Sequence, residues 1–471
     1  MSLPLLARLR PRVGAVLGAV ALAAALGCSP DEILNVQDPD IVDPGNLNTA
    51  SAALALRSGV ALRVAQATTG TAPGGAAQTG GNESLALLGG LLADEYRSGD
   101  TFEQRNTTDQ RTLIPQNSFL APPLRAAQRT RQEARAAIDL LREYAPQPRA
   151  YQTQMFASSA LAAVMVGEHF CNGVPLLSRI EGSEVVGGEP LPVDSIFRIA
   201  AAEADSALAS LAPGTTTTAA DSARLVTLYG NFARVVKARA LVNLGRYADA
   251  AALVPATAVP SNYVYQVTHS VNSSDNQNWA LNTSARRYSV PDREGGNGLP
   301  WVTANDPRVA ARAGTGARAV SFDNETAFFE QRAYNERTAP TTIASGVEAR
   351  LIEAETALAA GNTVLFLQKL NDARATRTGL PALTLPATTA AQVDLLFRER
   401  GFWMYGTGHR LGDLRRLIRQ YRRPAETVFP TGAYHKGGGQ YGKRVNLPVP
   451  FDENNNPAFS AAGGACLNDD A

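Results

Sequence analysis

The densest group of reactive side chains is the stretch RERGFWMYGTGHRLGDLRR, residues 398–416, which sets His409 near Asp413 among several arginines. A histidine beside a carboxylate is the minimal unit of general acid–base chemistry. Nothing completes a catalytic set around it. The chain has no Gly-x-Ser-x-Gly elbow and no His-Glu-x-x-His, and GTGHRLG (406–412) lacks the Lys-Ser/Thr of a phosphate loop. His169, in GEHF, has no second histidine at helical spacing, while His269 and His435 fall in loops without ligand-spaced partners. No metal site and no cofactor are therefore expected. Glycoside hydrolysis would need two carboxylates about 5 to about 9.5 Å apart, and no motif marks such a pair. A non-catalytic protein is the expectation, with His409 structural or at the surface and Arg410 and Asp413 in structural ion pairs.

Binding chemistry is better represented. Sugars present apolar C–H faces and many hydroxyls, so aromatic plates framed by Asn, Asp or Arg suit them. Residues 255–345 interleave Tyr263, Tyr265, Trp279, Tyr288, Trp301, Phe322, Phe328, Phe329 and Tyr334 with Asn, Ser, Asp and Gly, and they show no helical periodicity. So long an irregular segment is either disordered or functional, and its aromatic content argues against disorder. Asn278, Trp279, Arg287, Tyr288, Asp292 and Trp301 supply both kinds of group. At least one of Trp279, Tyr288 and Trp301 is expected to touch ligand; the alternative is that these rings pack the region's own small core. YHKGGGQYG (434–442) reads as a solvated loop.

The elements that must position these residues are helical. Alanine is abundant, charged residues are only 18%, and alanine costs least in a helix. Helices are expected at 83–95, 119–144, 149–170, 194–211, 220–244, 246–253, 342–360, 363–377 and 388–405, with another over Ala52–Ala67 capped by Asn48 or Thr49. ARVVKARALVNLGRYADAAAL (233–253) and EARLIEAETALAAGNTVLFLQKL (348–370) align. In each, an alanine (Ala238, Ala354) precedes a helix-ending glycine (Gly245, Gly361) by seven residues, the mechanics of a tetratricopeptide-type hairpin. The 44 basic and 43 acidic residues nearly cancel, which argues against a nucleic-acid partner.

Arg8, Arg10 and Arg12 followed by the apolar run Val13–Leu26 form an export signal too short to span a bilayer. Gly27 before Cys28 resembles the bacterial lipobox, which implies acylation of Cys28 and a membrane-tethered body; an ordinary secretory signal is the alternative. With Cys28 lipidated, Cys171 and Cys466 remain, and an exported protein with one even pair is expected to join them in a disulfide.

Three further motifs occur in order: LNVQDPD soon after Cys28; EARLIEAETALAAGN with LNDARATRTGLP; and ERGFWMYGTGHRLGDLRR followed by NLPVPFDENNNP. Together they resemble the SusD/RagB family of nutrient-binding surface lipoproteins. Glu399, Arg400, Gly408, Arg410, Asp413, Leu414 and Arg416 match that family's last helical signature, while Trp403, Thr407 and Leu411 replace two glutamates and a tryptophan. The resemblance implies a mainly α fold, with tetratricopeptide-like helical hairpins packed against an irregular, loop-rich ligand-binding lobe. It divides the chain into a lipoprotein signal peptide (1–27), an extended tether (28–48) and a SusD-like domain (49–471). Within that domain fall hairpins at about 220–253 and 342–377 and the aromatic insertion at about 255–345. It further implies capture of an oligosaccharide, or of a peptide as in RagB-like receptors, for an outer-membrane TonB-dependent transporter of the SusC type. Early loops border the site in this family, which adds Arg97 and Asn106 as candidates. A tetratricopeptide-type scaffold that binds protein only is the remaining alternative.

Overall fold

Small side chains let the helices of this chain approach one another closely, and alanine-lined crossings organise the fold. The computed structural model describes residues 48–70, 83–176, 179–181, 184–211, 219–272 and 275–471. The leader, Cys28 and the tether up to residue 47 lie outside the described residues.

In chain order the elements are α1 (Ala50–Thr69), α2 (Leu85–Leu92), β1 (Arg97–Ser98), α3 (Glu103–Asp109), α4 (Ala121–Tyr144), α5 (Ala150–His169), β2 (Val174–Pro175), β3 (Arg179–Glu181), β4 (Glu184–Val186), β5 (Pro190–Leu191), α6 (Val193–Ala209), α7 (Ala219–Asn243) and α8 (Tyr247–Leu253). There follow β6 (Val264–Val267), a π-helical turn (Trp279–Ser284), β7 (Tyr288–Ser289), β8 (Arg312–Ala313), β9 (Phe329–Glu330) and β10 (Thr341–Ser345). The chain closes with α9 (Gly346–Ala359), α10 (Thr363–Arg374), α11 (Thr389–Trp403), α12 (Arg410–Arg419) and α13 (Pro457–Ala461). Every sheet among the described residues is a single antiparallel pair. The mainly α class is what the structure shows.

The helical layer is built around α5, which packs against α4, α6 and α7 and is buried along almost its whole length. Its run ASSALAAV has no polar stripe, as suits a helix covered on all sides. The pairs α7–α8 and α9–α10 form the two hairpins. Ala238 and Ala354 are fully buried at their crossings, and Gly245 (φ +72°) and Gly361 (φ +71°) end the first helices in the left-handed region. Arg239 of α7 grips Glu348 of α9 at 2.7 and 2.8 Å, joining the two hairpins.

Two departures from the expected elements have clear local causes. Residues 341–345 form a strand rather than the first turn of a helix. The β-branched run Thr341–Thr342–Ile343 pairs with β6, and Ser345 then caps α9 through a bond from Glu348 N to its Oγ (3.1 Å). This β6–β10 pair zips the two ends of the aromatic insertion together, so the region leaves and rejoins the helical layer at one place. The last helix also stops earlier than expected, at Trp403. Gly406 (φ +69°) and Gly408 (φ +86°) turn the chain, and α12 starts afresh at Arg410.

Tyr263 and Tyr265 belong to the main core, with Tyr265 stacked on Phe232 at 4.3 Å. A second, smaller core lies where the insertion meets α2 and α11; Leu87, Leu91, Tyr96, Tyr288, Trp301, Phe402 and Tyr405 fill it. Cys171, just after α5, is bonded to Cys466 in the tail (Cα–Cα 5.9 Å).

Candidate functional site

The early polar loop and the aromatic insertion meet in the β1–β7 pair, with Arg97 opposite Ser289 and Ser98 opposite Tyr288. Four of the residues singled out by type, Arg97, Asn106, Arg287 and Tyr288, are thereby brought together. Arg97 Nε donates to Glu294 Oε1 (2.7 Å), Asn106 Oδ1 accepts from Ser98 Oγ (2.7 Å), and Arg287 Nη1 donates to Asp100 Oδ1 (2.6 Å).

Others are placed differently. Trp301 is fully buried, donates from Nε1 to the Asp94 carbonyl (2.5 Å) and packs on Phe402 (4.9 Å) and Tyr405 (5.2 Å). Tyr288 is equally buried, edge-on to Tyr96 at 5.6 Å. Asn278 Nδ2 donates to the Gly406 carbonyl (3.1 Å), and its Oδ1 accepts from Tyr96 (3.2 Å). These three side chains hold the second core together from inside and offer a ligand no surface. Asp292 Oδ1 accepts from the amides of Val302 (3.0 Å) and Thr303 (2.9 Å), fixing the turn that begins at Trp301. Trp279 opens the π-helical turn and is half-buried.

The accessible aromatic surface next to β1–β7 is instead Phe322, 39% exposed. The Arg287 guanidinium lies 3.8 Å from its ring centre and 5.0 Å from that of Phe102, so a cation is held between two rings. The loop carrying Phe322 lies directly on the early loop. Asp323 N donates to Gly99 O (3.0 Å), and a Cβ on Gly99 would come within 2.2 Å of Ser321 Cβ. Asp323 also receives Lys436 Nζ at 3.0 Å, and the same ammonium donates to Asp100 O (2.7 Å). Phe322 therefore presents a ring backed by Arg287, while Asp323, the next residue, is tied to Lys436. In the sequence Phe322 is one aromatic among many. Its exposure depends on where the chain folds back, which no local pattern records.

Behind this platform lies a buried polar cluster. Asp109 Oδ2 accepts from Ser98 N (2.8 Å) and Tyr434 OH (2.9 Å), and Tyr441 OH donates to Glu294 Oε1 (3.0 Å). Burial pushes both carboxyls up; the charge of Glu294 adds to the rise at Asp109, and that of Asp94 to the rise at Glu294. His435 is pulled down to about 3 by burial and by the positive charges of Arg97 and Lys436. Tyr434, His435, Lys436 and Tyr441 of the 434–442 loop thus pack against the platform, while Gly437, Gly438 and Gln440 stay exposed, so the solvated reading holds for the tip alone.

Charged side chains of the stretch 398–416 are engaged in buried ion pairs. Asp413 takes Arg400 at 2.8 Å and Arg416 at 2.8 Å, Arg410 grips Asp94 at 2.5 and 2.9 Å, and Glu399 takes Arg308 and Arg374, each at 2.7 Å. His409 Nδ1 lies 3.1 Å from Glu168 Oε2, buried rather than at the surface. Clefts among the described residues lie elsewhere. One of about 380 Å³ is lined by Tyr334, Trp403 and Thr407 among others; one of about 560 Å³ is lined by Arg57, Tyr229 and His269.

This arrangement, a helical layer carrying an irregular lobe, is the fold of solved SusD superfamily proteins. A SusD superfamily protein from Parabacteroides distasonis superposes with a TM-score of 0.61 at 13% identity, over 87% of this chain and 98% of that one. One from Bacteroides vulgatus gives 0.59 at 15% identity, over 89% and 99%. Surface glycan-binding protein A from Bacteroides uniformis gives 0.60 at 13% identity, over 87% and 98%. No family model matches the sequence, and no curated protein matches it.

Proposed function

We propose that this protein is a surface receptor that captures a glycan and hands it, without turnover, to an outer-membrane TonB-dependent transporter of the SusC type, itself tethered through acylated Cys28 and facing the cell exterior. The observation that carries the reading is the exposed Phe322 ring, backed by Arg287 and followed by Asp323, which is tied to Lys436. A flat apolar face beside fixed hydrogen-bonding groups is what a pyranose requires. Trp279, half-buried in the same lobe, is assigned to the outer part of this site, and Arg97 and Asn106 to its support.

Three further points favour the reading. The fold neighbour from Bacteroides uniformis is a surface glycan-binding protein. Among the described residues no helix is long and apolar enough to cross a membrane, in keeping with a lipid tether. The carboxylates at and behind the platform are engaged or buried: Asp323 takes Lys436, Asp100 takes Arg287, and Asp109 and Glu294 are 1% exposed at each residue, which favours binding over hydrolysis.

Titration calorimetry of the mature chain against a panel of oligosaccharides of different linkage, with peptides alongside, tests the proposal. A glycan is expected to bind, and Phe322→Ala to weaken it about tenfold, the loss of about 1.4 kcal/mol of ring stacking. Unchanged affinity in that variant removes the assigned site. Binding of peptides alone, or turnover of any sugar, overturns the function.

A further inference from the structure

Three ligand-type side chains from three separate segments converge behind the platform: Asp109 at the end of α3, Glu294 in the turn after β7, and His435 in the loop before the tail. His435 Nε2 lies 3.0 Å from the Ser98 carbonyl oxygen. A carbonyl only accepts, so Nε2 carries the proton and Nδ1 presents its lone pair. That lone pair stands 3.7 Å from Asp109 Oδ2 and 3.9 Å from Glu294 Oε1, beyond hydrogen-bonding reach, on a side chain only 10% exposed. Among the described residues Nδ1 has no partner, and neither have Asp109 Oδ1 and Glu294 Oε2. Three acceptors without a donor in one buried cluster repel one another, and buried polar atoms left in that state are rare.

We propose that Asp109, Glu294 and His435 bind a divalent transition-metal ion of the zinc type. One donor atom from each residue lies within 4.8 Å of the others. Ligands about 2.1 Å from a tetrahedral zinc stand roughly 3.4 Å apart, so small side-chain rotations close the site. An imidazole joined to two carboxylates suits zinc better than calcium or magnesium, which favour all-oxygen shells. The outer shell is already built. Nε2–H on Ser98 O fixes the imidazole, Ser98 N and Tyr434 OH hold Asp109, and Arg97 and Tyr441 hold Glu294. With both carboxyls ionised by the cation, Arg97 cancels one of their charges and Lys436 is matched by Asp323 at 3.0 Å, which leaves one net negative charge facing the ion. The ion ties the 434–441 loop to α3 and to the turn after β7, and thereby fixes Lys436 on Asp323, the residue after Phe322.

The test uses untagged mature protein stripped with EDTA. Calorimetry with zinc chloride and elemental analysis after gel filtration are expected to find one zinc per chain, with a rise in Tm on loading. Cobalt is expected to bind in its place and give visible absorption bands of a nitrogen–oxygen site. His435→Gln keeps the volume of the loop residue and is expected to weaken zinc about 100-fold, and Glu294→Gln likewise. If Asp109→Asn fails to fold, these two variants still decide the matter. Stripped wild-type protein that takes up no zinc overturns the proposal, leaving carboxyls that share a proton. Zinc uptake unchanged in both variants overturns it equally.

Discussion

A carboxyl kept from water behaves according to the charge placed beside it, and this protein contains both extremes. Burial pushes Glu168 up, but His409 and Arg239 outweigh it and hold the group down to about 2. Glu95 has Gly406 N on one oxygen (2.9 Å) and no donor on the other, so burial dominates and pushes it up to about 8. Below about pH 4.5, the ordinary carboxyl value, folded and unfolded chains both hold this proton and Glu95 contributes no pH dependence. Between about 4.5 and about 8 the unfolded chain releases the proton that the folded chain keeps, so stability falls as pH rises. Urea unfolding of wild type and Glu95→Gln at pH 5 and pH 8 checks this. The variant is expected to lose less stability between the two pH values, and parallel losses would contradict the assignment. The same distinction between charge and burial separates the site candidates. Arg97, partly exposed, and Arg287, buried under Phe322, can lie at the patch because each has a carboxylate partner, whereas Trp301 and Tyr288 lie where their large apolar area removes them from water. Residue type marked Arg287, Tyr288 and Trp301, and family resemblance Arg97; only the fold shows which rings face outward.

At the scale of the element, helix ends were the most legible feature because their chemistry is local. Gly361 adopts φ +71° with open space where a Cβ would stand, so Gly361→Ala is expected to cost about 1 kcal/mol of backbone strain and no more. Gly346, the first residue of α9, is different: a Cβ there would come 2.0 Å from the Pro260 carbonyl oxygen. Gly346→Ala is expected to cost about 2–3 kcal/mol through overpacking, and chemical denaturation of both variants side by side would show the order. The first glycine can be read from its place at the end of an apolar period. The second cannot, since Pro260 reaches it only through the β6–β10 pair. The strand Thr341–Ser345 escaped a helical reading of 342–360 for the same reason, because its partner lies at the far end of the insertion.

Across the whole molecule, the disulfide from Cys171 to Cys466 fastens the tail to the end of α5. Asn172 Nδ2 to Asn468 Oδ1 (2.7 Å) and Leu467 N to Asn172 O (2.8 Å) continue the seam. Cross-linking residues 295 apart in the chain removes much freedom from the unfolded state, so Cys466→Ser is expected to lower stability by about 2–5 kcal/mol. Hydrogen exchange at the Leu467 amide should quicken in that variant before the helical layer is affected; exchange as slow as in wild type would mean that the hydrogen bonds alone hold the tail.

The sequence by itself determined the helical class, the two hairpins with their terminal glycines and the pairing of the two cysteines, because periodicity, helix ends and cysteine number are properties of short segments or of composition. Only the tertiary structure decided that Phe322 supplies the open ring, that Tyr288 and Trp301 are core, and that His435 meets Asp109 and Glu294. Those outcomes depend on which distant segments share a space, and in an irregular lobe no repeating pattern along the chain encodes that contact.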